Sequence, residues 1–337
     1  MPGTLLIVTN RTDATAHLGA AVLRRSGHTP VMLYPDEIPT EATVTYHGDQ
    51  ASWSATIETR DGSIDLTDVR SVWWRRPRRS RMNPDLPRHY QDYGLRETQY
   101  ALTGLWKLLR EDPGVYWMSH PDAIRAADNK LLQRRRAAEV GLVSPRTLIS
   151  NDPAEVRAFV ANNPRGTVFK TMTSIIPEGV TVPAGSIPGV PLVRPLSQDD
   201  LVNLPDVAHN LCEFQEVVEK AYELRVTAFE DELSVCRIDS QADDATRGDW
   251  RIMCNSRDID VASMTSVGEI PSDVHDACVQ LMKSFDLNFG AFDFIVTPEG
   301  RHVFLEVNPN GQWIFVQHWV PKLRLAQAFV DKITRNL

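Results

Sequence analysis

The chain opens with alternating apolar and polar segments whose lengths suit short strands and one helix. Thr4–Thr9 is a short apolar run of the length of a buried strand, and Pro30–Tyr34 is another. Between them, Ala14–Arg25 has helical periodicity and is followed by Gly27, which is typical of a helix C-terminus. A strand, a helix and a second strand in this order predict a parallel sheet at the start of an α/β domain.

Further strands and one long helix are predicted before residue 120. Val44–Leu66 alternates like an antiparallel hairpin, with Asp61-Gly62 as its turn, and Val69–Trp74 is another strand candidate. Gln91–Glu111 repeats its leucines at helical spacing. We place the end of the N-terminal α/β domain near residue 120.

The rest of the chain begins with a helix pattern and then becomes rich in strand patterns. Asp128–Val140 is predicted to be a helix and Thr167–Thr171 a strand. Ser174–Pro195 carries five prolines and three glycines, which predicts a long irregular loop. From Leu211 onward we expect mainly strands, up to a C-terminal helix at Lys322–Arg335.

Composition and charge narrow the class of protein. The 337 residues are enough for two or three packed units, and the 42% apolar and 24% charged fractions are ordinary for a globular protein. A net charge of −8 argues against general nucleic-acid binding. The four cysteines form no C-x-x-C pair, so a zinc site is not indicated. Without a signal-peptide pattern or an apolar run of membrane-spanning length, we expect a cytoplasmic protein with no membrane partner.

Two apolar strand candidates near the C-terminus carry acids at matching positions. Ala291–Val296 and His302–Val307 flank a short polar segment. If Glu299-Gly300 forms a two-residue hairpin loop, Asp293 lies directly opposite Glu306. Directly opposed residues have Cβ atoms about 5 Å apart, so two like charges placed there need a compensating cation.

Asn308 adds a third oxygen ligand to this pair. It lies two residues beyond Glu306 and therefore points to the same face of the strand. Two carboxylates and an amide oxygen suit Mg²⁺. The alternative is a solvent-facing hairpin with unpaired acids, but the neighbouring Phe292, Phe294 and Phe304 favour a buried hairpin, where unneutralised acids would be costly. We therefore predict a metal site at Asp293, Glu306 and Asn308.

Two lysines at the ends of predicted elements are candidate phosphate ligands. Lys170 closes the strand that begins at Thr167, and Lys130 stands near the start of a helix. A lone lysine in such a position is more often a solvated charge, so neither is decisive by itself. The sequence has neither G-x-x-x-x-G-K-[ST] nor G-x-G-x-x-G, so a P-loop or a Rossmann site is not supported.

A short hinge between two strand candidates can offer main-chain groups to an adenine edge. The hinge segment is Gln215-Glu216-Val217-Val218, and the next strand begins at Glu223, whose carboxylate can accept hydrogen bonds from ribose hydroxyls. Arg225 and Arg251 are candidates to neutralise a phosphate or an acyl-phosphate transition state. Solvated acids on an edge strand and exposed arginines are the alternatives.

Taken in chain order, these residues resemble the ATP-grasp superfamily. The Asp-to-Glu gap and the following Glu-x-Asn match its metal motif, and the resemblance extends from about residue 120 to the end. It implies an α/β and α+β protein: a pre-ATP-grasp α/β domain at 1–120, then an ATP-grasp fold at 121–207 and 208–337 that binds nucleotide between two antiparallel sheets. The residues that carry the resemblance are Lys130, Lys170, Gln215, Glu216, Val217, Val218, Glu223, Asp293, Glu306 and Asn308.

Four shorter runs are similar to the graspetide, or microviridin-type, peptide maturases. The runs are Val72–Pro77, Tyr222–Val226, Asp249–Arg251 and Asn308–Trp313. These ligases form ω-ester or ω-amide links between side chains of a ribosomal precursor peptide. The similarity implies ATP and Mg²⁺ as cofactors, an acyl-phosphate intermediate, a leader-guided precursor peptide as partner and commonly a homodimer. It also implies that Lys130, Lys170 and Arg251 neutralise phosphates, and that Arg225 stabilises the acyl phosphate or the tetrahedral intermediate.

A dense group of arginines follows the strand candidate Val69–Trp74. The group spans Arg75–Arg81 and can hold an acidic peptide, a nucleic acid or only solvent. We favour an acidic peptide held by Arg75 and Arg76, because electrostatic complementarity gives specificity, and we expect no nucleic-acid partner. Two rival functions stay open: an ATP-grasp ligase that acts on free amino acids or on a protein C-terminus, and a non-catalytic nucleic-acid-binding protein that uses the Arg75–Arg81 patch.

Overall fold

The computed structural model describes residues 3–50, 52–173, 193, 195–254, 256 and 258–337. The loop predicted at Ser174–Pro195 therefore lies almost wholly outside the described residues. Within these ranges, no helix has the length and apolar character needed to cross a membrane.

A parallel sheet forms the centre of the N-terminal part, as predicted. Its strand order is β2-β1-β6-β7, and all neighbours are parallel. The predicted hairpin at Val44–Leu66 is instead a three-stranded antiparallel sheet, β3-β4-β5. In chain order, the elements are β1 (Thr4–Val8), α1 (Ala14–Arg25), β2 (Val31–Leu33), β3 (Thr43–Gly48), β4 (Trp53–Thr59), β5 (Gly62–Asp65), β6 (Val69–Trp74), α2 (Arg88–Glu111) and β7 (Tyr116–Met118).

Strand β1 is buried on both faces, which explains its unbroken apolar sequence. Leu5 and Ile7 pack into a core with α1 and the C-terminal helix, whereas Leu6 and Val8 pack into a core with α2. Only the second half of α2 reaches that core, through Leu102, Leu105, Trp106 and Leu109. The residues in the first half of α2 are exposed or half-buried.

The middle part carries a small antiparallel sheet of order β8-β10-β9. The helix predicted at Asp128–Val140 is confirmed as Lys130–Glu139, and it begins at Lys130 because Asn129 caps it by accepting a hydrogen bond from the Leu132 N–H. A separate short helix precedes it. The elements here are α3 (Pro121–Ala127), α4 (Lys130–Glu139), β8 (Thr147–Ser150), α5 (Pro153–Ala161), β9 (Thr167–Lys170), α6 (Gln198–Val202) and β10 (Cys212–Glu216).

The C-terminal part is a five-stranded antiparallel sheet of order β13-β12-β11-β14-β15. The prediction of mainly strands missed α8, because its buried stripe contains Ala277, Cys278 and Met282 with only one leucine, Leu281. The predicted C-terminal helix is shorter than expected. The elements are β11 (Tyr222–Phe229), β12 (Glu232–Ile238), α7 (Val261–Met264), β13 (Thr265–Val267), α8 (Ser272–Ser284), β14 (Phe289–Val296), β15 (His302–Asn308), α9 (Ile314–Trp319) and α10 (Leu325–Ile333).

Candidate active site

The hairpin of β14 and β15 places two acids opposite each other, although by a different route from the predicted one. Asp293 pairs with Glu306 in the strand register. The prediction of a two-residue loop at Glu299-Gly300 is wrong, because Val296 pairs with His302 and five residues connect the strands. A shift of register beside Asp293 leaves one extra residue in β15, and this bulge restores the predicted pairing.

The two acids, Asn308 and Arg225 form one hydrogen-bonded group, which we call the acidic centre. Asn308 Nδ2 donates to Asp293 Oδ2 and to Glu306 Oε1, each at 3.1 Å. Arg225 lies opposite Asp293 on β11, and its Nη1 donates to Asp293 Oδ2 at 2.7 Å. Asp293 Oδ1 is buried and has no hydrogen-bond partner among the residues that the structure describes. An oxygen left unpaired in this way is available to a cation.

The donor set of the acidic centre fits a hard divalent cation. Searched over the described residues, the chain has no group of three or more His, Cys, Asp or Glu side chains arranged for a metal. The acidic centre instead offers two carboxylates, and half a turn of the Asn308 amide would present its oxygen to the same point. Few protein oxygens with room for water and phosphate are what Mg²⁺ sites usually contain.

Burial and neighbouring charges shift the pKa values of the two acids in opposite directions. Burial raises the pKa of Asp293 to about 6, with Glu306 adding to the rise and Arg225 opposing it. Burial also favours the neutral form of Glu306, but Lys130 and Lys170, together with the Asn308 hydrogen bond and Arg251, outweigh burial and hold the pKa of Glu306 below its usual value. Glu306 is therefore the more firmly ionised of the pair.

The two predicted phosphate lysines meet around a buried acid that the sequence analysis missed. Glu213 in β10 has 0% exposure and pairs with Lys170 across β9 and β10. Lys130 Nζ lies 3.9 Å from Glu213 Oε2, and Arg134 forms an ion pair with the other carboxylate oxygen. We call Lys130, Arg134, Lys170 and Glu213 the cation cradle. A signal was present in the sequence, since Glu213 is an acid among apolar residues in mid-strand, but its partners are distant in the chain.

The lysines of the cradle are fixed by main-chain contacts and by burial. Lys130 Nζ donates to the Thr171 carbonyl at 2.9 Å. Gln133, one turn further along α4, donates to the Val307 carbonyl and accepts from the Val307 N–H, which ties α4 to β15 beside Glu306. Burial lowers the pKa of Lys170, and the nearby Glu306 and Glu213 oppose that effect. The cradle therefore faces the acidic centre.

The predicted hinge connects the two antiparallel sheets. β10 belongs to the three-stranded sheet and β11 to the five-stranded sheet, so Val217 and Val218 lie in the crossing. The side chains of Gln215 and Glu216 point to β8, where they bond Thr147 Oγ1 and Arg146. They do not reach the acidic centre. The Val217 N–H is used by the Gly166 carbonyl, whereas the main chain of Val218 has no partner among the described residues.

Glu223 begins β11 directly after the hinge and is buried. Its Oε1 accepts from Lys220 Nζ at 3.0 Å and from Ser240 Oγ at 2.7 Å. Burial raises the pKa of Glu223, and Lys220 and Ser240 oppose the rise. The predicted ribose acceptor thus lies at the edge of the sheet crossing, already oriented by two donors.

Arg251 lies near the acidic centre, in a separate turn. Its Nε donates to both oxygens of Asp249, at 2.8 and 3.1 Å. Burial disfavours the charged guanidinium, but the Asp249 carboxylate more than offsets this and raises the pKa of Arg251. Arg251 also lies within electrostatic reach of Glu306 and Asp293. Asp249 therefore holds a cation beside the two acids.

The arginine group after β6 is not a uniform patch, and the prediction that Arg75 belongs to an accessible patch is wrong. Arg75 is 1% exposed, donates to the Asn310 carbonyl and lies 3.5 Å from Asp13. Burial lowers the pKa of Arg75 to about 9, and the positive charge of Arg76 adds to the effect. Arg76 is exposed, and its Nη2 lies 3.4 Å from the same carbonyl. Arg75 thus links the N-terminal sheet to the loop that follows Asn308.

A family model and three solved structures are similar to this chain. The model of the MvdD pre-ATP grasp domain matches residues 4–125, while the divisions predicted at 120 and 207 remain predictions. Two of the structures are from Microcystis aeruginosa MRC and are described as macrocyclases. MdnB is 29% identical with a TM-score of 0.77, covering 98% of both chains. MdnC, solved with the precursor peptide MdnA, is 25% identical with a TM-score of 0.78, covering 98% of this chain and 99% of its own.

A third structure matches more closely in shape and less closely in sequence. It is a RiPP-associated ATP-grasp ligase from Chryseobacterium gregarium in complex with ADP and a leader and core peptide. It is 24% identical, has a TM-score of 0.83 and covers 99% of this chain and 97% of its own. No curated protein matches the sequence significantly. The fold of this chain is therefore shared with these structures over nearly its whole length.

Proposed function

We propose that this chain, an ATP-grasp ligase with an MvdD-type pre-ATP-grasp domain, joins side chains of a ribosomally made precursor peptide. It uses ATP to activate a side-chain carboxylate and forms an ω-ester or an ω-amide with a second side chain. The likeness to MdnC, solved with a precursor peptide, and to the Chryseobacterium gregarium ligase, solved with leader and core peptides, supports a peptide substrate guided by a leader.

The observation that carries the proposal is the meeting of the acidic centre with the cation cradle. Asp293 and Glu306 are paired across one hairpin, and the charges of Lys130 in α4 and Lys170 in β9 lower the pKa of Glu306. Acids on one side and cations on the other suit a magnesium–nucleotide complex, because the metal needs hard oxygens and the phosphates need positive charge. Asp293 Oδ1, which is buried and has no hydrogen-bond partner among the described residues, supports a metal ligand at this point.

The residues of the acidic centre would hold Mg²⁺ and keep it beside the phosphates. When bound, the metal draws charge from the phosphate oxygens and aligns them for in-line transfer. Asp293, Glu306 and Asn308 supply its protein ligands. Arg225 keeps Asp293 oriented and neutralises part of the charge that accumulates there.

The nucleotide would be held from the opposite side. Lys130 and Lys170 bind phosphate oxygens as point charges, and Glu213 holds Lys130 and Arg134 in place. The free main-chain groups of Val218 bind the adenine edge, and Glu223 accepts from the ribose hydroxyls. Since Glu223 already accepts from Lys220 and Ser240, its orientation does not depend on the nucleotide.

Chemistry then proceeds in two displacements. A carboxylate oxygen of the peptide attacks the γ-phosphorus of ATP, and ADP leaves with the electrons of the broken bond. A hydroxyl or amine of the same peptide attacks the resulting acyl phosphate, loses its proton, and phosphate leaves. Arg225 and Arg251 stabilise the negative charge that develops on the acyl phosphate and on the tetrahedral intermediate. Cys212, Cys236, Cys254 and Cys278 are free thiols, consistent with work in the cytoplasm, and we propose a homodimer as in the family resemblance.

Mass spectrometry of a co-expressed precursor peptide tests this function directly. Candidates are short open reading frames beside the gene that encode Thr- and Glu-rich peptides. We expect the loss of one water per link formed, only with ATP and Mg²⁺, and no loss with Glu306→Gln. ATP-dependent ligation of free amino acids, or of a protein C-terminus, with no change in any precursor would contradict the proposal. DNA binding without ATP turnover would support the nucleic-acid alternative instead.

A further inference from the structure

A groove outside the acidic centre runs between α2 and the segment that follows β6. It has a volume of about 360 Å³ and is closed at one end by the start of α3. Its floor is apolar: Trp74 and Trp106 meet edge to face with ring centroids 5.5 Å apart, and Leu102 lies beside them. Trp106 and Leu102 also belong to the core of the N-terminal part, so the floor is rigid.

The rim of this groove is cationic. Arg78, Arg79, Lys107 and Arg125 are exposed there, and Asp122 is the one acid among the lining residues. The positive charge of the rim is opposite in sign to the net charge of the whole chain, which is −8. A local concentration of cations on an acidic protein attracts a negatively charged partner to one place.

Two of the four rim cations have partners within the protein, and two have no ion pair among the described residues. Arg125 donates to Asp122 at 3.0 Å, and Arg78 donates to the hydroxyl of Thr12 at 2.9 Å. Arg79 and Lys107 take part in no ion pair within the part of the chain that the structure describes. These two side chains therefore remain available to a ligand.

A contact between Arg76 and Asn310 connects the chain segment at the rim of the groove with the loop that follows the acidic centre. Arg76, which contacts the Asn310 carbonyl, is two residues before Arg78 on the rim. Two residues of extended chain span at most about 7 Å. Asn310 itself is two residues past Asn308 of the acidic centre. A peptide that lies in the groove can therefore place a neighbouring side chain at the acidic centre.

We propose that this groove binds an acidic segment of the peptide substrate, next to the side chain that reacts. The inference rests on the proposed function, because a ligase that activates side-chain carboxylates must take a peptide that contains Asp or Glu. The rim pairs with those carboxylates, and the accessible part of Trp74 on the floor accepts an apolar side chain that lies between two acids. Such a groove combines an apolar anchor with a polar rim, as peptide-binding sites usually do.

A nucleic acid fits this groove less well. Trp106 is buried against Trp74 and Leu102, so its ring faces are not open to stack on bases. The net charge of −8 also repels a long polyanion, whereas a short acidic peptide feels mainly the local rim. Arg79 and Lys107 are the residues that separate these occupants by experiment.

The test measures binding of a fluorescein-labelled synthetic peptide of repeating Glu, Thr and Phe by fluorescence anisotropy. The full-length chain carrying Arg79→Glu and Lys107→Glu is expected to raise the Kd at least about tenfold at low salt, because two rim charges are reversed. Thr103→Trp, at an exposed position inside the groove, is expected to weaken binding without any change of charge. The same peptide with Gln in place of Glu is expected to bind weakly to all variants.

The double variant Arg96→Glu and Lys283→Glu is the matched control, since it reverses the charges of one arginine and one lysine that are exposed and lie outside the groove. Arg96 lies about 16 Å from Lys107 along the helix axis. An equal loss of binding in this control would mean a general effect of charge and would overturn the assignment. An unchanged Kd in both the reversal and the Thr103→Trp variants would overturn it as well.

The remaining outcomes separate this inference from the proposed function. If the groove variants bind the peptide normally while the wild type still links a precursor, the groove assignment fails and the ligase function stands. If the wild type consumes no ATP with any carboxylate peptide, yet the variants lose peptide binding, the groove stands and the function fails. Tighter binding of single-stranded DNA than of peptide, or a change of oligomeric state in the reversal variant with normal peptide binding, would assign the groove to a nucleic acid or to a second copy.

Discussion

The acidic centre and the cation cradle face each other but are built in different ways. Asp293 and Glu306 lie on neighbouring strands of one hairpin and meet through strand pairing. Lys130 and Lys170 come from a helix and a strand that are 40 residues apart in the sequence, and a buried acid from a third element, Glu213, brings them together. One side depends on local geometry and the other on tertiary packing.

The difference has consequences for stability. A pair of like charges on a hairpin is costly until a cation compensates it, and here Arg225 and the cradle lysines do so within the protein. The cradle has an excess of positive charge instead, because within the described part of the chain Glu213 and Glu306 are the acids that its three cations face. Each side therefore stabilises the charges of the other before any ligand binds.

The largest effect is expected from neutralising one acid of the acidic centre. Asp293→Asn or Glu306→Gln should lower ligation by more than about a thousandfold, because a bound metal supplies several kcal/mol of stabilisation to the transition state. The fold should be retained, because the change relieves the repulsion between the two acids. This gain opposes the loss of a counter-charge for Arg225 or for the lysines. Turnover is measured by mass spectrometry at saturating Mg²⁺, and folding by circular dichroism.

Glu299→Gln is the control for the acidic centre. It removes a negative charge from the exposed loop of the same hairpin and should leave ligation unchanged. Wild-type turnover by either Asp293→Asn or Glu306→Gln would refute the metal assignment. Loss of turnover in Glu299→Gln would show that the hairpin tolerates no change of charge at all.

The next largest effect is expected from removing the buried acid of the cradle. Glu213→Gln leaves Arg134 and Lys130 without their shared counter-charge, and breaking a buried ion pair costs about 3 kcal/mol or more. ATP affinity should fall about tenfold or more, because residues that orient ligands typically matter by that factor. Chemical denaturation and calorimetry with ATP measure the two quantities.

Glu219→Gln serves as the control for Glu213→Gln, because Glu219 is exposed and the one ion pair that it forms with a described residue, Arg165 at 3.9 Å, is long. It should alter neither stability nor ATP affinity. If Glu213→Gln unfolds at the same denaturant concentration as the wild type, the cradle does not depend on this acid, and tertiary packing around Glu213 does not build it.

The same difference explains which parts of the site could be predicted from the sequence. The pairing of Asp293 with Glu306 follows from the alternation of two strands, and it was predicted correctly although a bulge compensated for a wrong loop length. Glu213 was missed because its partners, Lys130 and Arg134, are about 80 residues away and no local pattern connects them. Arg75 was misplaced for the opposite reason, since five nearby arginines look alike in sequence and only tertiary packing buries one of them.

A smaller effect is expected from removing one cation of the cradle. Lys170→Ala should weaken ATP binding about tenfold and leave peptide binding nearly unchanged, because a charged hydrogen bond contributes about 1.5–3 kcal/mol. If the cradle acts as one unit, Lys170→Ala combined with Glu213→Gln should cost less than the sum of the two. Calorimetry of the single and double variants measures this coupling, with Lys283→Ala on the exposed face of α8 as control. Equal ATP affinity in Lys170→Ala and the wild type would count decisively against the assignment.

The smallest effect is expected from His120, which lies outside the acidic centre and the cation cradle. Its titration must be eliminated by mutation before a pH profile can be assigned to either region. His120 caps α3 by accepting from the Asp122 N–H through Nδ1, and Arg110 Nη1 lies 3.3 Å from the same atom. Burial lowers the pKa of His120 below its usual 6.5, and the positive charge of Arg110 lowers it further. Protonation would place a hydrogen on Nδ1 against two donors.

The sign of the pH effect follows from this lowered pKa. Below about pH 6.5 the unfolded chain takes up a proton at this histidine while the folded chain does not, so the free energy of unfolding falls as the pH decreases. His120→Asn keeps an oxygen that can cap the helix and does not titrate. When the pH is lowered from about 7 to about 5.5, the Tm of His120→Asn should fall by about 2 °C less than the Tm of the wild type. A difference in Tm of this size corresponds to less than 1 kcal/mol in a chain of this length. Scanning calorimetry at both pH values measures the difference, and a Tm that falls equally in the two proteins would show that His120 does not contribute to the acid sensitivity of the fold.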